Sequence, residues 1–217
     1  MVGGEIRGGR PEADTARILA LSVLGNGLSN VERVCQTEDA LSVQEAELST
    51  LRRLGMPEES IFIAQSNLAT TYARLGRFEE STSMARDVYL GNVKLFGKHH
   101  RDTLFEANNY AWALVDISRF EEAKSLLRKT VPVAQRILGE GHRVTLKMRW
   151  VSAKALFLDT DATLDGLREA VSTLEDVSPT ARRLLGGAHP TAPAIEEDLR
   201  DARAALRARE PPSSGSA

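Results

Sequence analysis

The sequence predicts an all-α protein, a solenoid of antiparallel helix hairpins with a C-terminal capping helix. Of its 217 residues, 42% are hydrophobic and only 5% are aromatic, a composition that favours small aliphatic packing between helices over a β-sandwich. Short motifs return at a spacing of 42 residues along the chain. Between these motifs, apolar residues recur at the three- and four-residue intervals of amphipathic helices. Together, these observations predict stacked helical repeats.

The composition argues against several functional classes. Lysine and arginine number 28 against 30 aspartate and glutamate residues, a formal net charge of −2, whereas proteins that bind nucleic acid usually carry a basic excess. The single cysteine, Cys35, excludes an internal disulfide and a multi-cysteine zinc site, and it suits a reducing compartment. No apolar run reaches the length of a signal-peptide core or a membrane span. We therefore expect a cytoplasmic protein that binds neither nucleic acid nor membranes.

Two motifs mark the repeat. Gly76-Arg-Phe-Glu-Glu80 returns as Ser118-Arg-Phe-Glu-Glu122, and His100-Arg-Asp-Thr-Leu104 returns as His142-Arg-Val-Thr-Leu146. Both pairs have the same offset of 42 residues, an agreement that chance rarely produces. We interpret each unit as one helix hairpin.

The repeat divides the chain into consecutive elements. Paired helices are predicted at 16–33 and 38–54, 58–75 and 78–96, 101–117 and 120–138, and 143–159 and 163–185, followed by a capping helix at 191–209. The corresponding repeat units are 16–57, 58–99, 100–141 and 142–188, within a domain of residues 15–209 that ends with the capping segment 189–209. We expect residues 1–14 and 210–217 to be disordered tails, because they are rich in small, polar and charged residues.

Local signals support the individual helices. Gly76 can adopt the positive φ that a tight turn after the first helix of a hairpin requires. The hydroxyl groups of Thr103, Thr145 and Thr191 are predicted to cap the helices that follow the repeat-closing loops. Pro132 is expected to kink the helix 120–138 or to remove one of its hydrogen bonds.

The last helix has the pattern of a cap. Its apolar stripe contains Ile195, Leu199, Ala202 and Leu206. Such a helix places its apolar stripe on the last hairpin and its charged residues, among them Asp198, on a solvated outer face.

With these motifs, the chain resembles the tetratricopeptide-repeat proteins of the kinesin light chain and nephrocystin type, whose unit is 42 residues long. The matching residues are Ser66-Asn-Leu-Ala69 and Asn108-Asn-Tyr-Ala111, the two Arg-Phe-Glu-Glu turns, and the loops Leu138-Gly-Glu-Gly-His142 and Leu185-Gly-Gly-Ala-His189. The resemblance implies a right-handed superhelix of helix hairpins that acts as a protein-interaction scaffold and not as an enzyme. Residues 148–153 depart from the family because they lack its asparagine.

The resemblance also implies a concave peptide-binding groove, formed by the first helix of each hairpin, with Asn67 and Asn109 facing it. An asparagine amide can both donate to and accept from a peptide backbone. Helical spacing places further residues on the same faces: Thr70 and Arg74 near Asn67, Asn108 and Trp112 near Asn109, and Lys147, Trp150 and Lys154 in the next unit. Such a groove suits a protein or peptide ligand with acidic residues and an aromatic or aliphatic anchor. As an alternative, Trp112 and Trp150 could simply fill space between helices.

The sequence offers little for catalysis or for a cofactor. His99, His100, His142 and His189 occur in the repeat-closing loops and could ligate zinc. Three of them recur once per repeat, which is expected to keep them apart, so loop capping is the preferred interpretation. Cys35 has no histidine near it in the sequence and is interpreted as a small packing residue. We therefore expect no catalytic residue, metal or cofactor.

Two other functional classes stay open beside the peptide-binding scaffold. The array could be a structural spacer or an oligomerisation module of a larger assembly, with an unused groove. It could also be a hydrolase with histidine-loop chemistry, which would require a bound metal. The oligomeric state is open as well.

Overall fold

Eight α-helices and no β-strand make up the described part of the chain, which confirms the all-α prediction. The structure, a computed structural model, describes residues 34–187 and 189–210. In chain order the helices are α1 (Val34–Arg53), α2 (Glu58–Arg74), α3 (Phe78–Phe96), α4 (Arg101–Asp116), α5 (Phe120–Leu138), α6 (Arg143–Phe157), α7 (Leu164–Leu185) and α8 (Thr191–Arg209). The helix predicted at 16–33, the N-terminal tail and the tail from residue 211 on lie outside the described residues.

The helix boundaries agree with the predicted ones to within two residues, except at the start of α1. This helix already includes residues 34–37, where a loop was predicted. That segment reads Val-Cys-Gln-Thr and contains neither glycine nor proline to interrupt a helix. The side chain of Cys35, for which a packing role was predicted, lies outside what the structure describes.

The helices belong to two compact units, one up to Val88 and one from Tyr89 on, and the division falls within α3. In the first unit, α1 packs against α2. Burying one leucine side chain contributes about 1.5–3 kcal/mol, and this core holds several. Its buried side chains are Leu41, Leu48, Leu51, Ala64 and Leu68.

In the second unit, neighbouring helices from α4 to α8 pack in sequence, α4 with α5, α5 with α6, α6 with α7 and α7 with α8. Alternate helices also touch, α4 with α6 and α6 with α8. Stacked antiparallel hairpins produce this pattern, because each hairpin rests on the next one. The core shared by the last three helices includes Leu146, Phe157, Leu167, Leu174 and Ile195.

Helix α8 closes the second unit with the predicted apolar stripe. Ile195 and Ala202 are buried, and Leu199 and Leu206 pack against the same core. The prediction that Asp198 lies on the solvated face is wrong, because its side chain is buried. Asp198 follows Ile195 by three residues and precedes Ala202 by four, so it lies on the buried stripe itself.

The turns inside two hairpins share one geometry. After α2, Gly76 has a φ of 74°, and the N–H of the following residue donates to the carbonyl five residues before it at 2.9 Å. After α4, Ser118 has a φ of 58°, and the equivalent hydrogen bond measures 2.8 Å. Both are the six-to-one bond of a Schellman motif. The positive φ predicted for Gly76 is confirmed, and a serine holds the corresponding position one repeat later.

Histidines cap the helices that follow the repeat-closing loops. The Nδ1 atoms of His100, His142 and His189 accept hydrogen bonds from the N–H groups two residues later, at 3.3, 3.2 and 3.3 Å. Each bond satisfies an N–H that has no partner within its own helix. The loop-capping interpretation of these histidines is therefore confirmed.

The threonine caps predicted at the same helix starts are wrong. Thr103 donates its hydroxyl hydrogen backwards to the Gly97 carbonyl at 2.8 Å. The Thr145 hydroxyl is buried and has no hydrogen-bond partner in the described part of the chain. Thr191 supplies the backbone N–H that the histidine accepts. The histidine precedes the helix, where a side chain reaches the free N–H groups, whereas Thr103 and Thr145 are already inside the first turn.

Pro132 in α5 and Pro179 in α7 lie in the interior of their helices, beyond the first turn. Both are exposed, and the helices continue past them to their last residues, Leu138 and Leu185. Pro132 therefore does not end α5. Its missing N–H leaves the carbonyl of Arg128 without the usual helical donor.

Candidate functional site

On α2, the predicted groove residues form a polar strip. Asn67 is half-buried, whereas Thr70 and Arg74 are exposed. Thr70 donates its hydroxyl hydrogen to the Ser66 carbonyl of its own helix at 3.1 Å. Arg74 lies in the last turn, where a positive charge complements the helix dipole. This strip therefore presents an amide and a guanidinium group.

On α4, Asn109 belongs to a polar network. Its Nδ2 donates to Glu106 Oε2 at 3.1 Å, and its Oδ1 lies 3.5 Å from the Nδ2 of Asn108. Glu106 and Asn108 are buried, whereas Asn109 is half-buried. The contacts fix the orientation of the Asn109 amide, with its nitrogen towards the carboxylate.

Asn108 was predicted to line the groove, and the structure instead places it in the interior. Its exposed fraction is 4%, and its Oδ1 has no hydrogen-bond partner among the described residues. Asn108 is four residues after Leu104 and three before Ala111, both of which are fully buried. It therefore lies on the core-facing stripe of α4, so it cannot offer its amide to a peptide directly.

The two tryptophans predicted for the groove contact each other. The rings of Trp112 on α4 and Trp150 on α6 lie edge to face, with centroids 4.8 Å apart and an interplanar angle of 77°. This geometry is favourable because the positive edge of one ring meets the negative face of the other. Both side chains are half-buried, so they pack between neighbouring helices and also remain accessible.

Asp198 of α8 reaches the same region and neutralises a predicted groove cation. Its Oδ2 accepts from Trp150 Nε1 at 2.6 Å, and its Oδ1 accepts from Lys154 Nζ at 2.7 Å. The exposed fraction of the Asp198 side chain is 9%, and that of Lys154 is 25%. Lys154 therefore has an ion-pair partner within the protein, so its charge is already compensated, and its role in the groove stays a prediction.

Sequence reasoning missed Asp198 because it was assigned to the outer face with the other charges of α8. A signal was present, since the residue shares the three- and four-residue spacing of the apolar stripe. A charged residue on a buried stripe needs a partner. The sequence could indicate that a cation faces it, but not which one.

Lys147, on the first turns of α6, differs from Lys154. Burial lowers the pKa of its half-buried ammonium group, and the positive charge of Arg143 lowers it further. Neither Lys147 nor Arg143 forms an ion pair with a carboxylate within the residues that the structure describes. Positive charge at the start of α6 is therefore not compensated.

A metal site finds no support in the described ranges. Within residues 34–187 and 189–210, no three histidine, cysteine, aspartate or glutamate side chains are grouped to hold an ion. None of the helices in that part of the chain combines the length and the apolar character that crossing a membrane needs.

Comparison with known proteins gives one family match and several matches of fold. Residues 60–136 match the family model of the tetratricopeptide repeat, whereas no curated protein matches the sequence. A crystal structure of the nearly identical TPR-like repeats of a Podosopora anserina protein assigned as a kinesin light chain has a TM-score of 0.65 at 21% identity, covering 92% of this chain and 90% of that one. A variant of the same protein gives 0.68 at 20% identity, covering 94% and 91%.

These findings confirm the predicted fold. Residues 60–136 match the tetratricopeptide-repeat model, and the fold of the chain is similar to that of the TPR-like repeats of the Podosopora anserina protein. The nephrocystin-like subfamily and the 42-residue family unit remain predictions, as do the repeat boundaries.

Proposed function

We propose that this chain is a non-catalytic scaffold of the cytoplasm that binds an extended peptide segment of a partner protein. Tetratricopeptide repeats generally mediate protein–protein interactions, and helical-repeat proteins present extended surfaces for them. The proposed binding surface, called the groove face, comprises Asn109, Trp112, Lys147 and Trp150 in the second unit. In the first unit its counterpart is the polar strip of Asn67, Thr70 and Arg74.

The observation that supports this proposal best is the pair of half-buried tryptophans beside an oriented asparagine. Tryptophan supplies a large apolar contact area at a low cost in conformational entropy, and it is enriched among residues that dominate binding energy. The amide of Asn109, held by Glu106, can recognise a peptide backbone without losing much freedom on binding.

The charges on the groove face define the ligand further. Lys147 is a cation that no carboxylate pairs within the described residues, whereas Lys154 is already paired with Asp198. We therefore expect the groove face of the second unit to bind a peptide with an aromatic or aliphatic anchor for the tryptophans and an acidic residue for Lys147.

The test uses peptides selected from a displayed random library on the wild-type protein. Their dissociation constants are then measured by fluorescence anisotropy with the wild type and with Lys147→Glu, which reverses the unpaired cation of the groove face. We expect binding to weaken by about tenfold or more, since each lost charged contact is worth about 1 kcal/mol or more.

Lys129→Glu is the matched control. It makes the same change of charge at an exposed lysine of α5, the second helix of its hairpin, and should leave binding within about twofold. Circular dichroism checks that both variants are folded. Equal affinity of the peptides for the two variants would show that they bind outside the groove face. Light scattering on the wild type would then show whether the chain is an oligomerisation module.

A further inference from the structure

An open cavity of about 550 Å³ lies where α4 and α6 begin. Its lining residues are Arg101, Asp102 and Phe105 of α4, with His142, Arg143 and Val144 at the start of α6. All of them belong to the second unit, and none belongs to the groove face. The cavity is therefore a separate feature.

Positive charge dominates this cavity. Arg101 and Arg143 are exposed, and neither forms an ion pair with a carboxylate in the described part of the chain. Asp102 is the acidic residue among the lining side chains, and its carboxylate lies 3.7 Å from the imidazole of His100 outside the lining. The lining residues thus carry two guanidinium groups and one carboxylate.

Lys147 lies one turn after Arg143 in α6 and adds a further positive charge near the cavity. Arg143 lowers the pKa of this ammonium group after the larger effect of burial, so the two cations lie close enough to repel each other. No carboxylate contributes to the pKa of Lys147. An anion bound beside Arg143 would relieve this repulsion.

His142 adds a hydrogen-bond donor. Its Nδ1 accepts from the Val144 N–H at 3.2 Å, so the ring N–H that can donate is the one at Nε2. The lining therefore offers two guanidinium groups and one imidazole N–H. Phe105, with an exposed fraction of 42%, adds an apolar surface at the same cavity.

We propose that this cavity binds a phosphate monoester, with Arg101 and Arg143 on the phosphate oxygens and the organic group against Phe105. A phosphate is favoured over a carboxylate because it carries close to two negative charges and three acceptor oxygens. A phosphorylated side chain of a protein and a small phosphorylated metabolite share this chemistry. The lining residues of this site are not those of the groove face, although Lys147 of that face adds positive charge one turn after Arg143.

The test is a titration of the ¹⁵N-labelled protein with phenyl phosphate, followed by amide chemical shifts. We expect the shifts to concentrate at residues 101–106 and 142–147. Phenylacetate, which has the same ring and a single negative charge, should bind about tenfold more weakly or worse. If phenylacetate binds as well as phenyl phosphate, the proposed ligand class is wrong.

Variants locate the site. Arg101→Gln/Arg143→Gln should weaken phenyl phosphate binding by about tenfold or more, whereas Arg200→Gln/Arg207→Gln, the same change at exposed arginines of α8, should not. Asp102→Asn should tighten binding by removing a repulsive carboxylate. Equal affinity of the two double variants, or shifts spread over the whole chain, would overturn the proposal.

A last experiment distinguishes a phosphorylated protein side chain from a small phosphorylated metabolite. Acetylated and amidated phosphotyrosine carries the same aryl phosphate as phenyl phosphate, together with a piece of peptide backbone. Tighter binding of the peptide form would support a protein-borne phosphate, and equal binding would support a small metabolite. Binding of neither compound would overturn the site.

Discussion

Ser118 has a backbone conformation that residues with a side chain rarely adopt. It is the one non-glycine residue with a positive φ in the described ranges, and the left-handed region costs such a residue about 1 kcal/mol. At the equivalent Gly76, an added Cβ would meet no atom within 4 Å. The cost at this kind of turn is therefore a matter of backbone conformation and not of crowding.

We predict that Ser118→Gly stabilises the protein. Glycine adopts a φ of 58° without strain, which gains about 1 kcal/mol, but it also increases the freedom of the unfolded chain, which removes part of that gain. The expected net increase in the free energy of unfolding is about 0.5 kcal/mol, measured by urea denaturation with circular dichroism. Gly76→Ser is the reciprocal control and should lower the denaturation midpoint. A lower midpoint for Ser118→Gly would show that the serine side chain stabilises the turn.

Residue-level chemistry could be predicted from the sequence where it is local. The positive φ of Gly76 and the capping by His142 depend on neighbouring residues in the chain, and the repeat shows them more than once. The threonine caps were predicted wrongly at the same scale, because the histidine precedes each helix and accepts its free N–H, whereas Thr103 and Thr145 lie inside the first turn. Thr103 instead bonds a carbonyl of the preceding loop, a partner that only the folded loop defines.

At the scale of the elements, the prolines of α5 and α8 occupy different parts of their helices. Pro132 lies in the interior of α5, where its ring removes a hydrogen bond to a carbonyl one turn earlier. Pro193 is the third residue of α8, where the N–H would have no partner inside the helix anyway. Both prolines are exposed, so replacing them changes little packing.

We predict that Pro132→Ala stabilises α5 and that Pro193→Ala has little effect. Replacing Pro132 restores one backbone hydrogen bond and introduces a residue with a higher helix propensity. Together these changes are worth up to about 3 kcal/mol of unfolding free energy, before relaxation of the helix is counted. Thermal denaturation followed by circular dichroism should show a higher midpoint for Pro132→Ala alone. Equal midpoints for the two variants would mean that α5 has already adapted its backbone to the proline.

Helix positions could be predicted well because they depend on periodicity and on breakers, which are present in the sequence. The boundaries of α3 and α5 follow directly from the turn motifs that precede them and the Leu-Gly or Phe-Gly pairs that end them. The start of α1 could not be predicted as well. No repeat motif precedes Val34, and the polarity of the segment around it resembles that of a loop.

At the scale of the whole molecule, the placement of charges was the hardest feature to predict. Lys154 and Asp198 are 44 residues apart in the chain, and their contact depends on the packing of α8 against α6. The tryptophans were predicted for one surface, and their contact depends on the same kind of packing between α4 and α6. Repeat periodicity predicts which residues share a helix face, but the neighbouring helix decides which of them stay accessible.

Removing the ion pair between Lys154 and Asp198 tests how far a local loss of stability spreads along the chain. In a repeat array each unit is stabilised mainly by its neighbours, so a defect should spread only to adjacent helices. Asp198→Ala leaves the Trp150 N–H and the Lys154 ammonium group without their acceptor, at a cost of about 1–3 kcal/mol. We therefore expect faster hydrogen exchange in α6 and α8 and unchanged exchange in α1 and α2, measured by mass spectrometry.

Asp201→Ala separates this effect from a change of charge. It removes an exposed carboxylate from the same helix, one turn after Asp198, and should leave exchange unchanged throughout. Equal protection of α6 in the two variants would show that the buried ion pair contributes nothing to stability, as happens when desolvation cancels the attraction. Faster exchange in α1 with Asp198→Ala would show instead that the chain opens as one cooperative unit, because no local opening of α8 reaches the first core.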